Sequence, residues 1–172
     1  MLFIKNVLFI ILIPGTAAVL IPYWIAGSNS VLSLKEWGAL QYFALVPVLL
    51  GLLIYGHCAW FFAHVGRGTP FPLDPPKVLI VYGLFQYVRN PMYLGVLLLI
   101  TGESVLCESR HLLIYAGGIF LCFHLWVVFY EEKDLRRRFG DSYAHYCSAV
   151  RRWLPGKKYR QSVQHESEAR ER

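Results

Sequence analysis

Two short stretches hold most of the side chains in this sequence that could do chemistry. The first is Tyr87-Val-Arg-Asn-Pro-Met-Tyr-Leu-Gly95, which places a cation, an amide and two phenols around an Asn90-Pro91 step. Asn is a favoured N-cap and Pro a favoured first helical residue. A helix therefore starts at this point, with unpaired N–H groups directed at the preceding loop. Such a terminus attracts an anion, for example a carboxylate. Tyr93 falls in the first turn, and Gly95 allows another group to come close. A plainer reading is a well-capped helix start with Arg89 on lipid headgroups. The second stretch is Glu131-Glu132, two adjacent carboxylates directly after an apolar run. Acids at a helix C-terminus oppose its dipole, although Lys133 and Arg136 offset this. The pair reads either as a solvated helix end or as a receptor for a bound ammonium group.

Other candidates carry less. His57 and His64 are two helical turns apart, and His124 lies in an apolar run. A metal site needs three or more converging ligands, and nothing in the sequence fixes these histidines together, so no metal is expected. Glu103 reads as an interhelical hydrogen-bond partner rather than a catalyst. The four cysteines are isolated, with no C-x-x-C pair, so neither a zinc site nor a disulfide framework is signalled. The Gly-rich nucleotide signatures and the G-x-S-x-G elbow are absent.

Membrane spans would have to position these groups. Of 172 residues, 56 % are hydrophobic and only 16 % charged, and the mean hydropathy is +0.42. That composition excludes a disordered chain, a coiled coil and a disulfide scaffold. Four apolar segments cover about residues 7–26, 39–63, 92–106 and 112–130. A span takes about 17–25 residues. The third is shorter and contains Glu103, which implies a tilted, broken or shielded helix. Lys5 followed by an apolar run and small Thr16-Ala17-Ala18 resembles a cleaved signal, but apolarity resumes through Leu20–Ile25, which favours a retained span. Pro14-Gly15 and Pro22 imply that this span is kinked.

Four crossings place both termini on one side. That side receives 15 of the 17 Lys and Arg residues, and the other receives only Lys35 and Arg110. By the positive-inside rule both termini and the 65–90 loop face the cytoplasm. The basic tail abuts apolar spans, so an anionic bilayer surface is its expected partner rather than nucleic acid. The loop Gly66-Arg-Gly-Thr-Pro-Phe-Pro-Leu-Asp-Pro-Pro76 is too rich in proline and glycine for helix or central strand. The apolar stretch after it lies against the membrane face or the protein, or inserts as a fifth helix. The fourth span continues through Phe139 and ends at Gly140 as a C-cap. A further helix follows, with Tyr143, Tyr146, Val150 and Trp153 on one face. With Arg151 and Arg152 it reads as an interfacial amphipathic helix, stopped by Pro155-Gly156. The expected fold is an all-α integral membrane bundle of about four helices, or five, with a cytosolic helical extension. Residues 1–156 form one domain, with the functional region at 66–95 and 127–155. A polar, disordered tail covers 157–172. The expected location is a bacterial-type inner membrane or an endomembrane.

Gly68-Thr-Pro-Phe-Pro-Leu-Asp-Pro-Pro76, Gly83-Leu-Phe-Gln-Tyr-Val-Arg-Asn-Pro-Met-Tyr-Leu-Gly95, Glu131-Glu132 with Leu135, Phe139-Gly140, Tyr143, Tyr146 and Val150, and Arg152-Trp-Leu-Pro155 together resemble the isoprenylcysteine carboxyl methyltransferase family. Phospholipid N-methyltransferases share much of the pattern. The resemblance covers about residues 60–156, and its specificity lies in the order and spacing of the pieces. It implies a membrane enzyme using S-adenosylmethionine on a hydrophobic or lipid-like acceptor. Carried over by position, it implies cofactor contacts from Lys77, Val78, Leu79, Ile80, Phe85, Asn90, Pro91, Met92, Tyr93, Glu131 and Glu132. Arg89, Asn90 and Tyr93 are the candidate catalytic residues. Two positions depart from the eukaryotic pattern: Asn90 replaces a histidine, and Val127 replaces a substrate-binding arginine.

On this expectation Glu131 or Glu132 pairs the donor's ammonium, and the helix start at Asn90-Pro91 takes its carboxylate. Tyr93, Tyr87 or Phe85 faces the sulfonium or adenine. The alternatives are an N-methyltransferase of phospholipids or amines, a membrane reductase using a nicotinamide cofactor, and a non-enzymatic assembly subunit docked through its basic tail.

Overall fold

The structure, a computed structural model, describes residues 14–27, 37–64 and 78–159. The start of the first apolar segment, the Pro-rich loop with Lys77, and the tail from residue 160 lie outside the described residues. Among those described the fold is predominantly helical. There is no β-strand, and Val88 and Arg151 make one isolated parallel bridge.

Helix α1 (Thr16–Ala26) opens with a π-turn, Thr16–Leu20, in which the Ile21 N–H reaches back to the Thr16 carbonyl. Pro22 follows at once. It has no N–H to donate, and a local π-adjustment is one way an apolar helix accommodates the loss. A π-turn is what the structure shows next to this proline. Helix α2 (Ala39–His64) runs through Pro47 without ending. Helix α3 (Pro91–Leu106) begins at the expected proline. A tight turn with Glu108 at φ 48° leads to Ser109, whose hydroxyl accepts from the Leu112 N–H and caps helix α4 (Arg110–Trp126). A π-turn (Val127–Glu131) joins α4 to helix α5 (Glu132–Ala149), giving a rod from Arg110 that reaches Ala149 after a kink at Gly140.

α2 and α3 make the closest helix pair, through small residues. A Cβ added at Gly51 would lie 2.6 Å from the Gly95 carbonyl oxygen, and one at Gly102 would lie 2.5 Å from Val48 Cγ2. Gly95 thus admits the α2 backbone, the small-residue device of helix packing in lipid. On its other side α3 meets α1 and α4 in a cluster of Ala18, Val96, Ile100 and Ala116. The outward faces remain apolar: Phe43, Leu53 and Ile114 are each more than 70 % exposed. Large apolar side chains exposed over whole helix faces fit hydrocarbon rather than water. The chain is a membrane protein whose described residues are all-helical; α2 and the continuous stretch Arg110–Ala149 are long and apolar enough to cross a bilayer, while α1 and α3 are shorter apolar helices.

Three expectations about the tail are corrected. The face carrying Tyr143, Tyr146 and Val150 does not lie on a bilayer. It is buried against Val81, with Leu79, Leu135 and Tyr159 packed around it. The helix also ends at Ala149, before Pro155, because Val150 turns extended and the chain doubles back. Trp153 lies beyond it and donates to Nδ1 of His124 at 3.1 Å. Gly140 does break the rod, with φ 50° and ψ −125°. The stretch 78–87 rests on protein. It carries a 3-10 turn at Gly83–Gln86, with Ile80 and Phe85 packed on Cys58 on one side and Val81 packed on α5 on the other. Order also continues past Gly156, where the Tyr159 N–H donates to the Gln86 carbonyl at 2.9 Å.

Candidate functional site

Three pieces converge at the foot of α3 and α4: the segment 85–93, the π-turn with the first turn of α5, and the returning segment 150–156. Pro91 starts α3 because its fixed φ suits a first helical residue and its missing N–H would have been unpaired there. Asn90 does not cap the helix with its side chain. Its carbonyl accepts from the Leu94 N–H, and its Nδ2 donates to the Arg152 carbonyl at 3.1 Å. Asn90 therefore ties the helix start to the returning segment.

One turn into α3, the Tyr93 hydroxyl donates to Oε2 of Glu131 at 2.8 Å. The Tyr93 ring lies 4.6 Å from that of Phe123 on α4. Glu131 closes the π-turn, whose extra residue changes which face the following side chains present. Glu131 and Glu132 consequently have different partners. Glu132 is buried and takes Arg152 in two bonds, Nε to Oε1 at 2.7 Å and Nη2 to Oε2 at 3.0 Å. Arg89 Nη1 adds a third at 3.1 Å. Burial would raise the Glu132 carboxyl, but the Arg152 hydrogen bond and the charges of Arg89 and Arg152 outweigh it and hold the group below the usual carboxylate range.

Arg89 does not point at headgroups. Its side chain is 13 % exposed, and Nη1 also contacts Cys147 Sγ at 3.0 Å. Its Nε is buried without a hydrogen-bond partner among the described residues.

Of the residues expected to form one site, the structure thus joins Tyr93 directly to Glu131, and Arg89 and Asn90 to the neighbouring Glu132–Arg152 pair. Ile80, Phe85 and Met92 turn their side chains into the cluster around Cys58. They are left with main-chain groups, and the Phe85 carbonyl already accepts from the Tyr146 hydroxyl at 2.6 Å. Val78 is exposed and Leu79 half-buried beside α5. Lys77 lies outside the described residues. Glu103 lies far along α3 from this cluster, with Oε2 buried and unpartnered among the described residues.

Sequence reasoning assigned no role to Phe123, and placed Arg152 in the family pattern and at the end of an interfacial helix without giving it Glu132 as a partner. Phe123 sits two turns before Glu131 in an apolar run, where one aromatic looks like another. The pairing of Arg152 with Glu132 could have been found only by asking which distant cation neutralises an acid at a helix foot.

The chain matches the family described as phospholipid methyltransferase over residues 40–142. It is 30 % identical over 127 residues to proteins described as probable protein-S-isoprenylcysteine O-methyltransferase in Oryza sativa subsp. indica and subsp. japonica. Those matches cover 71 % of this chain and 64 % of each relative. The chain thus spans just under two thirds of their length. A third match, 30 % identical over 80 residues, is to the Delta(14)-sterol reductase LBR of Gallus gallus, covering 46 % of this chain and 13 % of that protein.

Proposed function

Because the chain belongs to the phospholipid methyltransferase family, we propose that it is a membrane-embedded methyltransferase using S-adenosylmethionine on a hydrophobic or lipid-like acceptor. The observation that carries this reading is the Tyr93–Glu131 contact, a carboxylate beside two aromatic rings at the foot of apolar helices.

The donor set fits the cofactor. Glu131 would take the α-ammonium in a charge-assisted bond. Tyr93 and Phe123 offer ring faces to a cation, a contact of about 0.5–2 kcal/mol. The Nε of Arg89, without a partner among the described residues, and the first-turn N–H groups of α3, which the Asn90 side chain does not cap, would be donors for the cofactor's carboxylate. Val78, Leu79 and Ile80, with Lys77, would contribute main-chain groups beside it. Glu132 contributes by holding Arg89 and Arg152 rather than by touching the ligand.

Bound S-adenosylmethionine supplies a methyl group activated on a sulfonium. The chain's own task is alignment, which can remove about 7–11 kcal/mol of barrier. A carboxylate acceptor needs no base, whereas an amine must first lose a proton. A lipid-like acceptor would arrive laterally between helices and the cofactor from the cytosol.

Four crossings with cytosolic termini fit the distribution of 15 cations against two. At 1.5 Å per residue α3 spans about 24 Å, short of the roughly 30 Å hydrocarbon core. That length favours a helix sheltered between α2 and α4.

Similarity to a sterol reductase keeps a nicotinamide-dependent reductase as the second reading. Titration of the full chain in lipid nanodiscs with S-adenosylmethionine and with NADPH separates the two. Methyl-tritiated S-adenosylmethionine, incubated with membranes with and without the chain, should label an extractable hydrophobic product that mass spectrometry can identify. Binding of NADPH alone, with no methylated product, would overturn the assignment.

A further inference from the structure

Glu131 and Glu132 are neighbours, yet only Glu131 meets Tyr93. Glu132 is held by a segment that returns from beyond α5. That segment is laced to 86–90 by main-chain bonds. The Arg89 N–H donates to the Arg151 carbonyl at 2.9 Å, and the N–H groups of Gly156 and Tyr159 donate to the Tyr87 and Gln86 carbonyls, each at 2.9 Å. Trp153 pins it to α4 through His124 and lies 5.3 Å from the Phe120 ring.

Arg152 alone in this strap reaches both halves of the site. Its carbonyl accepts from Asn90 Nδ2, one residue before α3 begins. Its guanidinium takes both oxygens of Glu132, the residue after Glu131. Tyr93 lies three residues from the first anchor and Glu131 one residue from the second.

We infer that Arg152 is a positioning residue for donor binding: it holds Asn90 with its carbonyl and Glu132 with its side chain, and so sets Glu131 against Tyr93. The inference rests on the methyltransferase reading above. A fork that satisfies two carboxylate oxygens at once fixes direction as well as distance, which a lysine cannot do. The Arg152 side chain is 30 % exposed and that of Glu132 9 %. The pair therefore sits at the rim of the cluster, where it orients the foot of α5 rather than filling a core.

The test is calorimetric titration of the full chain in nanodiscs with S-adenosylmethionine, alongside thermal unfolding. Arg152→Gln should weaken binding about tenfold, because small displacements of a binding group are amplified. Arg152→Lys should recover part of it and remain about threefold weaker than wild type. Asp134→Asn, which removes the Arg137 and Arg138 pairs on the same helix, serves as the control for a merely structural ion pair and should leave affinity within twofold. Equal affinity for Arg152→Gln and Asp134→Asn would overturn the inference while leaving the methyltransferase reading intact. If Arg152→Gln does not fold, Arg152→Lys carries the test, and wild-type affinity there would overturn it. Failure of the wild-type chain to bind the donor would remove the functional reading and this inference together.

Discussion

The phenolic oxygen of Tyr93 lies 2.8 Å from Oε2 of Glu131, across 38 residues of sequence. The contact joins the first turn of α3 to the last residue of the π-turn below α4. A carboxylate held by a phenol keeps acceptor capacity on its second oxygen. It can therefore take an ammonium without releasing Tyr93.

Glu131→Gln should weaken S-adenosylmethionine binding about 10- to 100-fold, since hydrogen bonds to charged groups are worth about 1.5–3 kcal/mol. Tyr93→Phe keeps the ring beside Phe123 and loses only the hydroxyl, so its loss should be nearer fivefold, about 1 kcal/mol. Both variants should unfold near the wild-type midpoint. Calorimetric titration provides the check, and unchanged affinity in both would remove this pair from the site.

Glu132 differs in that its loss should also be felt in stability. Glu132→Gln leaves Arg89 and Arg152 facing a neutral amide in a largely buried place, at a cost of about 2–3 kcal/mol, below the range for fully buried pairs because Arg152 is partly exposed. The pH dependence has a definite sign. The folded-state pKa of Glu132 lies below the unfolded one, near 4.3 for a free glutamate. Its stabilisation is therefore complete above that unfolded value and is lost as pH falls through the folded one. Thermal midpoints of the wild type should fall on acidification below about pH 4, and those of Glu132→Gln should fall less. Parallel acid profiles would show that the pair contributes nothing to stability.

The apolar helices were legible because hydrophobicity is a local property. Residues 39–63 and 92–106 were expected, and α2 and α3 cover Ala39–His64 and Pro91–Leu106. Asn90-Pro91 marked the helix start correctly and the Asn90 side chain incorrectly, because what Asn90 bonds is a carbonyl 62 residues away. The aromatic stripe on α5 was visible as a periodicity. Its partner was not, since a face that suits a bilayer also suits Val81. The division of labour between Glu131 and Glu132 depends on a π-turn, which adds one residue per turn without any signature in Val127–Glu131.

Packing of α2 on α3 gives a prediction with its own control. Gly51→Ala places a methyl 2.6 Å from the Gly95 carbonyl oxygen and 2.9 Å from the Leu99 nitrogen, so the helices must part. Overpacking of this kind costs about 1–3 kcal/mol. Gly118→Ala meets nothing within 4 Å and should be neutral or up to about 1 kcal/mol stabilising, as Ala is the better helix former. Thermal unfolding in one detergent should rank Gly118→Ala at or above wild type and Gly51→Ala below it. The reverse order would contradict the close approach.

Gly140 tests how the tail is aimed. Its φ of 50° and ψ of −125° suit glycine, and a Cβ there would meet nothing within 4 Å, so any effect of Gly140→Ala is backbone strain rather than collision. Strain of this kind costs about 1–3 kcal/mol. The chain can relieve it by straightening α5, but that swings Tyr143 and Tyr146 away from Val81 and strips the Tyr146 hydroxyl from the Phe85 carbonyl. Hydrogen exchange should therefore rise in 80–88 as well as around residue 140 itself. Exchange confined to the substituted turn would mean that the second half of α5 is held in place by the returning strap without help from the bend.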